Sequence, residues 1–147
     1  MTKVLFVCLG NICRSPAAEG VLRTKAKARG LSIAVDSAGI GGWHAGDPPD
    51  ERMRAAALNR GYDLSAQRAR QVSPDDFETF DYILAMDASN LANLKDIAPP
   101  GHGSVLRKLL GKDDVPDPYY GGDDGFDHVL DLVECAVDKL LEEIAEQ

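Results

Sequence analysis

The chain has 147 residues, a hydrophobic content of 44%, a charged content of 27% and a formal net charge of −8. That length suits one domain, residues 1–147, with a substantial core, and the acidic balance argues against a general nucleic-acid binder. No segment approaches the roughly 20 apolar residues of a membrane span, and the three cysteines point to a reducing compartment rather than a disulfide framework.

Taken in chain order, Val4 to Val7 are β-branched or bulky and apolar, which predicts a strand over 3–8 buried on both faces. This apolar run is too short for a signal-peptide core, so a cytoplasmic location is expected. A helix follows over 16–29. Ser15 reads as its N-cap, Pro16 as its first helical residue and Glu19 as an acid near the positive end of its dipole. Gly30 stands where that helix should stop. A strand over 32–37 leads to a helix over 49–60 that ends before Gly61. A short helical turn near 74–79 precedes a strand over 81–86. The next helix, 88–98, opens on Asp87-Ala88-Ser89-Asn90, with Asp87 as N-cap. A fourth strand falls at about 104–108. The last helix, 126–145, carries Phe126, Val129, Leu130, Val133, Val137, Leu140, Leu141 and Ile144 at i, i+3, i+4 spacing. Such alternation means an α/β fold: a doubly wound parallel sheet of four strands, covered on both faces by right-handed crossovers. Ligands of such sheets sit beyond the carboxyl ends of the strands, where the loop after the first strand would lie.

That loop, Cys8-Leu9-Gly10-Asn11-Ile12-Cys13-Arg14-Ser15, carries the chemistry. Caught between a strand's end and a helix N-terminus, its backbone N–H groups converge on an anion. Cys8 at its base would feel those groups, the helix N-terminus and the Arg14 guanidinium, all of which favour the reactive thiolate. Arg14 offers a planar fork for two phosphate oxygens, and Gly10 removes a side chain where the loop turns tightly. The implied reaction is attack of sulfur on phosphorus, giving a phosphocysteine. A Cys and an Arg six positions apart are common by chance; the strand–loop–helix setting is what raises the signal.

The stretch Cys-Leu-Gly-Asn-Ile-Cys-Arg-Ser-Pro at 8–16 resembles the signature of the low-molecular-weight protein tyrosine phosphatases. The likeness continues in order through Asp36-Ser37-Ala38-Gly39, Trp43 with Gly46-Asp47-Pro48, Ala69-Arg70-Gln71, Phe80-Asp81-Tyr82-Ile83-Leu84, Met86-Asp87, Asn90-Leu91 and Asp117-Pro118-Tyr119-Tyr120-Gly121. It implies that Cys8 is the nucleophile, that Arg14 binds phosphate and stabilises the transition state, and that Asp117 is the general acid. A carboxyl on a mobile loop can protonate the leaving oxygen and then, as carboxylate, activate water; Gly121 and Gly122 would let that loop bend. Read from the residues alone, Asp117 is equally a turn former in Val-Pro-Asp-Pro, and Asp87 is a rival acid.

The resemblance further implies phosphate contacts from loop residues Leu9, Gly10, Asn11, Ile12, Cys13 and Ser15. Asn11, Ser15 and Ser37 match positions whose hydrogen bonds hold the loop in shape, and the Ser15 hydroxyl could also stabilise the departing thiolate. Many relatives carry a histidine shortly before Ala-Arg-Gln, whereas this chain has Gln67 and Arg68 there; either Gln67 replaces the ring or the network is one member short. Cys13 matches a second cysteine that can form a reversible disulfide with the nucleophile, which would stop its oxidation short of the irreversible acids; the alternative is a small buried apolar residue at the helix start. Cys135, in the last helix near the edge of its apolar stripe, reads as structural.

Trp43 in a glycine-rich loop, with Tyr119 and Tyr120 beside the acid, would sandwich an aryl ring over a deep phosphate site, and depth excludes the shorter phosphoserine. Trp43 could instead be a core or a surface aromatic. Against the long-range repulsion of the net charge, attraction for a phosphate ester must come from Arg14, the loop amides, and Arg68 or Arg70. His44 lies on the rim. His102 and His128 have no convincing partners, and no cluster has metal-ligand spacing, so no metal and no cofactor are expected.

The function expected is hydrolysis of phosphotyrosine in proteins, a tyrosine kinase being one candidate, by a monomer or weak dimer. An arsenate reductase on this fold would need extra cysteines near the third strand, and 82–94 has none. An arginine phosphatase of the family typically has a small polar residue where Ile12 stands. A non-catalytic phosphotyrosine-binding module would need neither nucleophile nor acid.

Overall fold

A computed structural model describes residues 1–119, 121–122 and 124–146. In chain order the elements are β1 (Thr2–Cys8), α1 (Arg14–Ala28), β2 (Ile33–Gly39), α2 (Glu51–Leu58), α3 (Asp76–Thr79), β3 (Tyr82–Ala85), α4 (Ala88–Ile97), β4 (Val105–Lys108) and α5 (Asp124–Ala145). The four strands are all parallel, in the order β2-β1-β3-β4. β1 is an inner strand, and Val4, Leu5, Phe6 and Val7 are fully buried, as an unbroken apolar run requires. Val4, Phe6 and Cys8 face one way, into a core filled from α1, α2 and α5. Leu5 and Val7 face the other way, against Phe77 of α3 and Leu94 of α4.

Two differences from the predicted boundaries bear on the site. β2 runs on to Gly39, because Val7 pairs with Ala38 and Cys8 with Gly39, although neither small residue has much strand propensity of its own. α1 begins at Arg14 with Cys13 in the N-cap position and no side-chain cap, so Ser15 lies inside the first turn. At its other end, Gly30 (φ 70°) lets the Gly30 and Leu31 N–H groups donate back to the Lys27 and Ala26 carbonyls, closing the helix as its sequence predicts. α1 also comes close to the segment after α2: a β-carbon on Gly20 would overlap Leu64.

The carboxyl ends of β1, β2 and β3 therefore meet at one edge of the sheet, together with the N-termini of α1 and α4. The loop 9–13 lies at that edge.

Candidate active site

Cys8 lies at the base of the loop and is 3% exposed. The Asn11 backbone N–H donates to it at 3.3 Å, and the Ser15 hydroxyl lies 3.0 Å from it. Asn11 is the only non-glycine among the described residues with positive φ, 60°, a left-handed conformation that asparagine tolerates better than most side chains. Its side chain lies behind the loop, not in the cavity. Nδ2 donates to Ser15 Oγ and to Ser37 Oγ, both at 2.9 Å, and Oδ1 accepts from the Arg70 N–H at 3.0 Å.

These bonds orient the rest. With Ser15 Oγ accepting from Asn11, its own proton is left for Cys8, the alternative acceptor being the Ala38 carbonyl at 3.5 Å. The Asn11 N–H and the Ser15 hydroxyl thus converge on the sulfur. Ser15 faces the Cys8 sulfur and is not the helix cap its sequence suggests. Ser37 in turn donates to Glu19 Oε1 at 2.7 Å, and Glu19 Oε2 meets Arg23 at 2.8 Å. Burial pushes the Glu19 carboxyl above its ordinary range, against the pull of Ser37 and Arg23. Glu19 was legible in the sequence only as a dipole partner; here it terminates the hydrogen-bond chain Glu19–Ser37–Asn11–Ser15–Cys8.

Arg14 is 2% exposed, and its charge is balanced from one side. Nη1 donates to Asp87 Oδ2 at 2.6 Å and to the Val115 carbonyl at 3.0 Å, while Nη2 reaches Asp117 Oδ2 at 3.5 Å. Its Nε is buried with no hydrogen-bond partner among the described residues. Asp87 holds the arginine with one oxygen and caps α4 with the other, which accepts from the Asn90 N–H at 2.7 Å. The cap was legible in the sequence. The grip on Arg14 was not, since it joins residues 73 positions apart.

Above this floor opens a cavity of about 310 Å³. Leu9, Gly10, Ile12 and Cys13 form one wall, Asp117 and Tyr119 another, and Trp43 with His44 the rim. Trp43 is 70% exposed, so the core alternative is set aside; it lies over Gly41, where an added β-carbon would overlap its ring. The His44 ring sits 6.4 Å from that of Tyr119, tilted by 51°. Tyr120 lies outside the described residues. Asp117 Oδ1 accepts from the Tyr119 N–H at 3.1 Å. Asn11 and Ser15, expected among the substrate contacts, do not line the cavity and instead contact the Cys8 sulfur.

Cys13 is buried beside this floor. Desolvation, and then the charges of Asp50 and Cys8, push its thiol pKa up, so it stays protonated at neutral pH. Asp50, the N-cap of α2, is held below the ordinary carboxylate range by hydrogen bonds from Arg52 that outweigh its desolvation. Gln67 donates to the Pro16 carbonyl at 3.1 Å and not to Asn11 or Ser37; the loop network is closed instead by Glu19 and the Arg70 N–H. The Arg70 guanidinium is engaged by Asp36 and Asp76, and Arg68 binds the carbonyls of Ser65 and Gln67, so neither cation faces the cavity. Among the described residues no group of three or more His, Cys, Asp or Glu could hold a metal ion, and no helix is long and apolar enough to cross a membrane.

A family model described as low molecular weight phosphotyrosine protein phosphatase matches residues 3–147. The chain belongs to that family. Its sequence is 45% identical over 155 residues to the low molecular weight protein-tyrosine-phosphatase YfkJ of Bacillus subtilis, spanning all of this chain and 98% of the relative. Its fold matches the crystal structure of a protein tyrosine phosphatase from Entamoeba histolytica with Hepes in the active site, with a TM-score of 0.95 and 41% identity over 99% of this chain and 98% of that one. A drosophila arginine phosphatase is also similar, with a TM-score of 0.92 and 34% identity over 97% and 98% of the two chains. Like its low-molecular-weight relatives, the chain is a protein tyrosine phosphatase, and phosphotyrosine-containing proteins are its substrate class.

Proposed function

We propose that this phosphatase works through Cys8 as nucleophile, Arg14 as phosphate clamp and Asp117 as proton donor, within one catalytic domain spanning residues 1–147. One observation carries the reading: the Cys8 sulfur receives the Asn11 N–H and faces Ser15, while Arg14, lining the same cavity, has an Nε buried without a hydrogen-bond partner among the described residues. A phosphoryl group entering the cavity takes its non-bridging oxygens to the loop N–H groups and to the free edge of the guanidinium.

The thiolate then attacks phosphorus in line, the P–O bond to the aryl group breaks, and Asp117 passes its proton to the departing phenolate oxygen. In the second step Asp117, now a carboxylate, takes a proton from water. The resulting hydroxide attacks phosphorus, the P–S bond breaks, and Ser15 donates to the thiolate that leaves. Leu9, Ile12, Trp43 and Tyr119 give the aryl ring apolar walls, and the sequence adds Tyr120 as a proposed substrate contact. The apolar side chain of Ile12 supports tyrosine over a charged guanidinium phosphate. Cys13 is read as a resolving thiol, condensing with an oxidised Cys8 sulfenic acid to a disulfide and water. A cytoplasmic location, a tyrosine kinase among the substrates, and a monomeric or weakly dimeric state complete the proposal.

The test is phosphate release from an aryl phosphate, a phosphotyrosine peptide and phosphoarginine, by wild type and Cys8→Ser, with a chelator present. Release from the two aryl esters that vanishes in Cys8→Ser is expected. Faster release from phosphoarginine would move the substrate to the arginine branch, and Cys8-independent release would sink the nucleophile.

A further inference from the structure

Residues 113–119, which carry Asp117, contain neither helix nor strand, so something other than regular structure must hold the acid over the phosphate loop. The direct tie to the floor is long: Arg14 Nη2 to Asp117 Oδ2 is 3.5 Å. We propose that Arg52 is a positioning residue that straps the acid-bearing segment to the phosphate loop, acting through Asp50 on one side and the Tyr119 carbonyl on the other. The inference rests on reading Asp117 as the acid.

Each link is short. The Asp50 N–H donates to the Ile12 carbonyl of the phosphate loop at 2.7 Å. The Asp50 carboxylate receives Arg52 Nε at 3.2 Å and Nη2 at 3.1 Å, a two-pronged contact. Arg52 Nη2 also donates to the Tyr119 carbonyl at 3.0 Å, while the Tyr119 N–H holds Asp117 Oδ1 at 3.1 Å. Residue 119 is thereby fixed from both its peptide groups, one tied to α2 and the other to the acid itself. The guanidinium carbon further lies 4.7 Å from the centre of the Phe126 ring, which is buried in α5, and 5.6 Å from that of Tyr119. Anchored by Asp50 and Phe126, the fork is pre-organised before it meets the Tyr119 carbonyl. A lysine could supply the charge, but not the paired Asp50 contact together with stacking on a ring.

A strap on the acid has a signature that general destabilisation lacks, since only poor leaving groups need the proton. The experiment compares kcat/KM, which covers the steps through phosphorylation of Cys8, for p-nitrophenyl phosphate and phenyl phosphate. The variants are Arg52→Met, Arg52→Lys, Asp117→Ala and the double variant Arg52→Met/Asp117→Ala. Arg52→Met, whose stem still covers Phe126, should lose about tenfold on phenyl phosphate and less than about threefold on p-nitrophenyl phosphate. Inhibition by inorganic phosphate should stay within about twofold, because the loop and Arg14 are untouched. Arg52→Lys should fall between wild type and Arg52→Met, and it carries the comparison should Arg52→Met fail to fold. In the double variant the loss on phenyl phosphate should not exceed that of Asp117→Ala alone. Equal losses on both esters, no loss on either, or an additive double variant would overturn the strap. An Asp117→Ala variant whose losses were equal on both esters would remove the acid reading and the strap with it. A steep dependence in Asp117→Ala beside a level one in Arg52→Met would remove the strap alone.

Discussion

Asp87 meets two demands with its two carboxylate oxygens, one for the α4 N-terminus and one for Arg14. Substitution can separate them. Asparagine caps a helix about as well as aspartate but brings no charge to the guanidinium. Asp87→Asn should therefore lower kcat/KM by roughly 10- to 100-fold, the worth of a charged hydrogen bond, and lower the thermal midpoint less than Asp87→Ala, which loses the cap as well as the ion pair. Asp87→Ala should lower both, and melting curves beside steady-state kinetics would check the difference. Glu19 poses the opposite case, a carboxyl whose folded-state pKa lies above its ordinary value of 4.5. The stability it contributes is fully present below that value and fades as pH rises through the raised one. Glu19→Gln removes the titration but keeps an acceptor for Ser37. The variant should gain on wild type as pH rises from about 4 to about 7. Thermal midpoints in a pH series would check it; a gap that stayed constant or moved the other way would contradict the raised pKa.

At the scale of elements, the end of β2 matters most to the site. Gly39 pairs with Cys8, donates its N–H to the Arg70 carbonyl and accepts from the Val72 N–H. A β-carbon there would meet Gly10 C at 3.0 Å, Gly41 O at 3.0 Å and Asn11 N at 3.1 Å, all backbone atoms. Gly39→Ala should consequently push the phosphate loop off its geometry, at a cost of about 1–3 kcal/mol and a larger proportional loss of kcat/KM than of stability. Chemical denaturation and kinetics on the same preparation would measure both. The elements themselves were legible, because strands buried on both faces and the amphipathic α5 leave strong periodic signals. The loop between β1 and α1 was legible for the same reason. The cap of α1 was misread because Ser-Pro before a helical run fits an N-cap equally well; what claims the hydroxyl is a sulfur seven residues earlier, brought close only by the fold. Glu19 and Asp87 stayed hidden as site-supporting residues on similar grounds, since a partner far along the chain leaves no local pattern.

Over the whole molecule, the formal charge of −8 sits around a cavity whose floor holds one buried cation, Arg14, with Arg68 and Arg70 occupied elsewhere. Long-range repulsion of a phosphate ester and short-range attraction to the floor are both weakened by salt. For a small aryl phosphate, kcat/KM should accordingly shift by less than about threefold between 0.01 and roughly 0.15 M salt. Stopped-time assays across that range would check it, and a tenfold fall would reveal a steering field that this charge distribution does not provide. The site also has a temporal aspect. Cys8 leaves the ribosome ahead of the groups that frame its loop, which arrive from far along the chain. Asn11 is locked by partners 26 and 59 positions away, and Arg14 by partners 73 and 101 positions away. Until the segment reaching Val115 has been synthesised and folded back, Arg14 lacks the Asp87 carboxylate and the Val115 carbonyl that hold it beneath the loop. The nascent protein thus stays chemically silent towards phosphoproteins, and its activity switches on only with the closing of its longest loops.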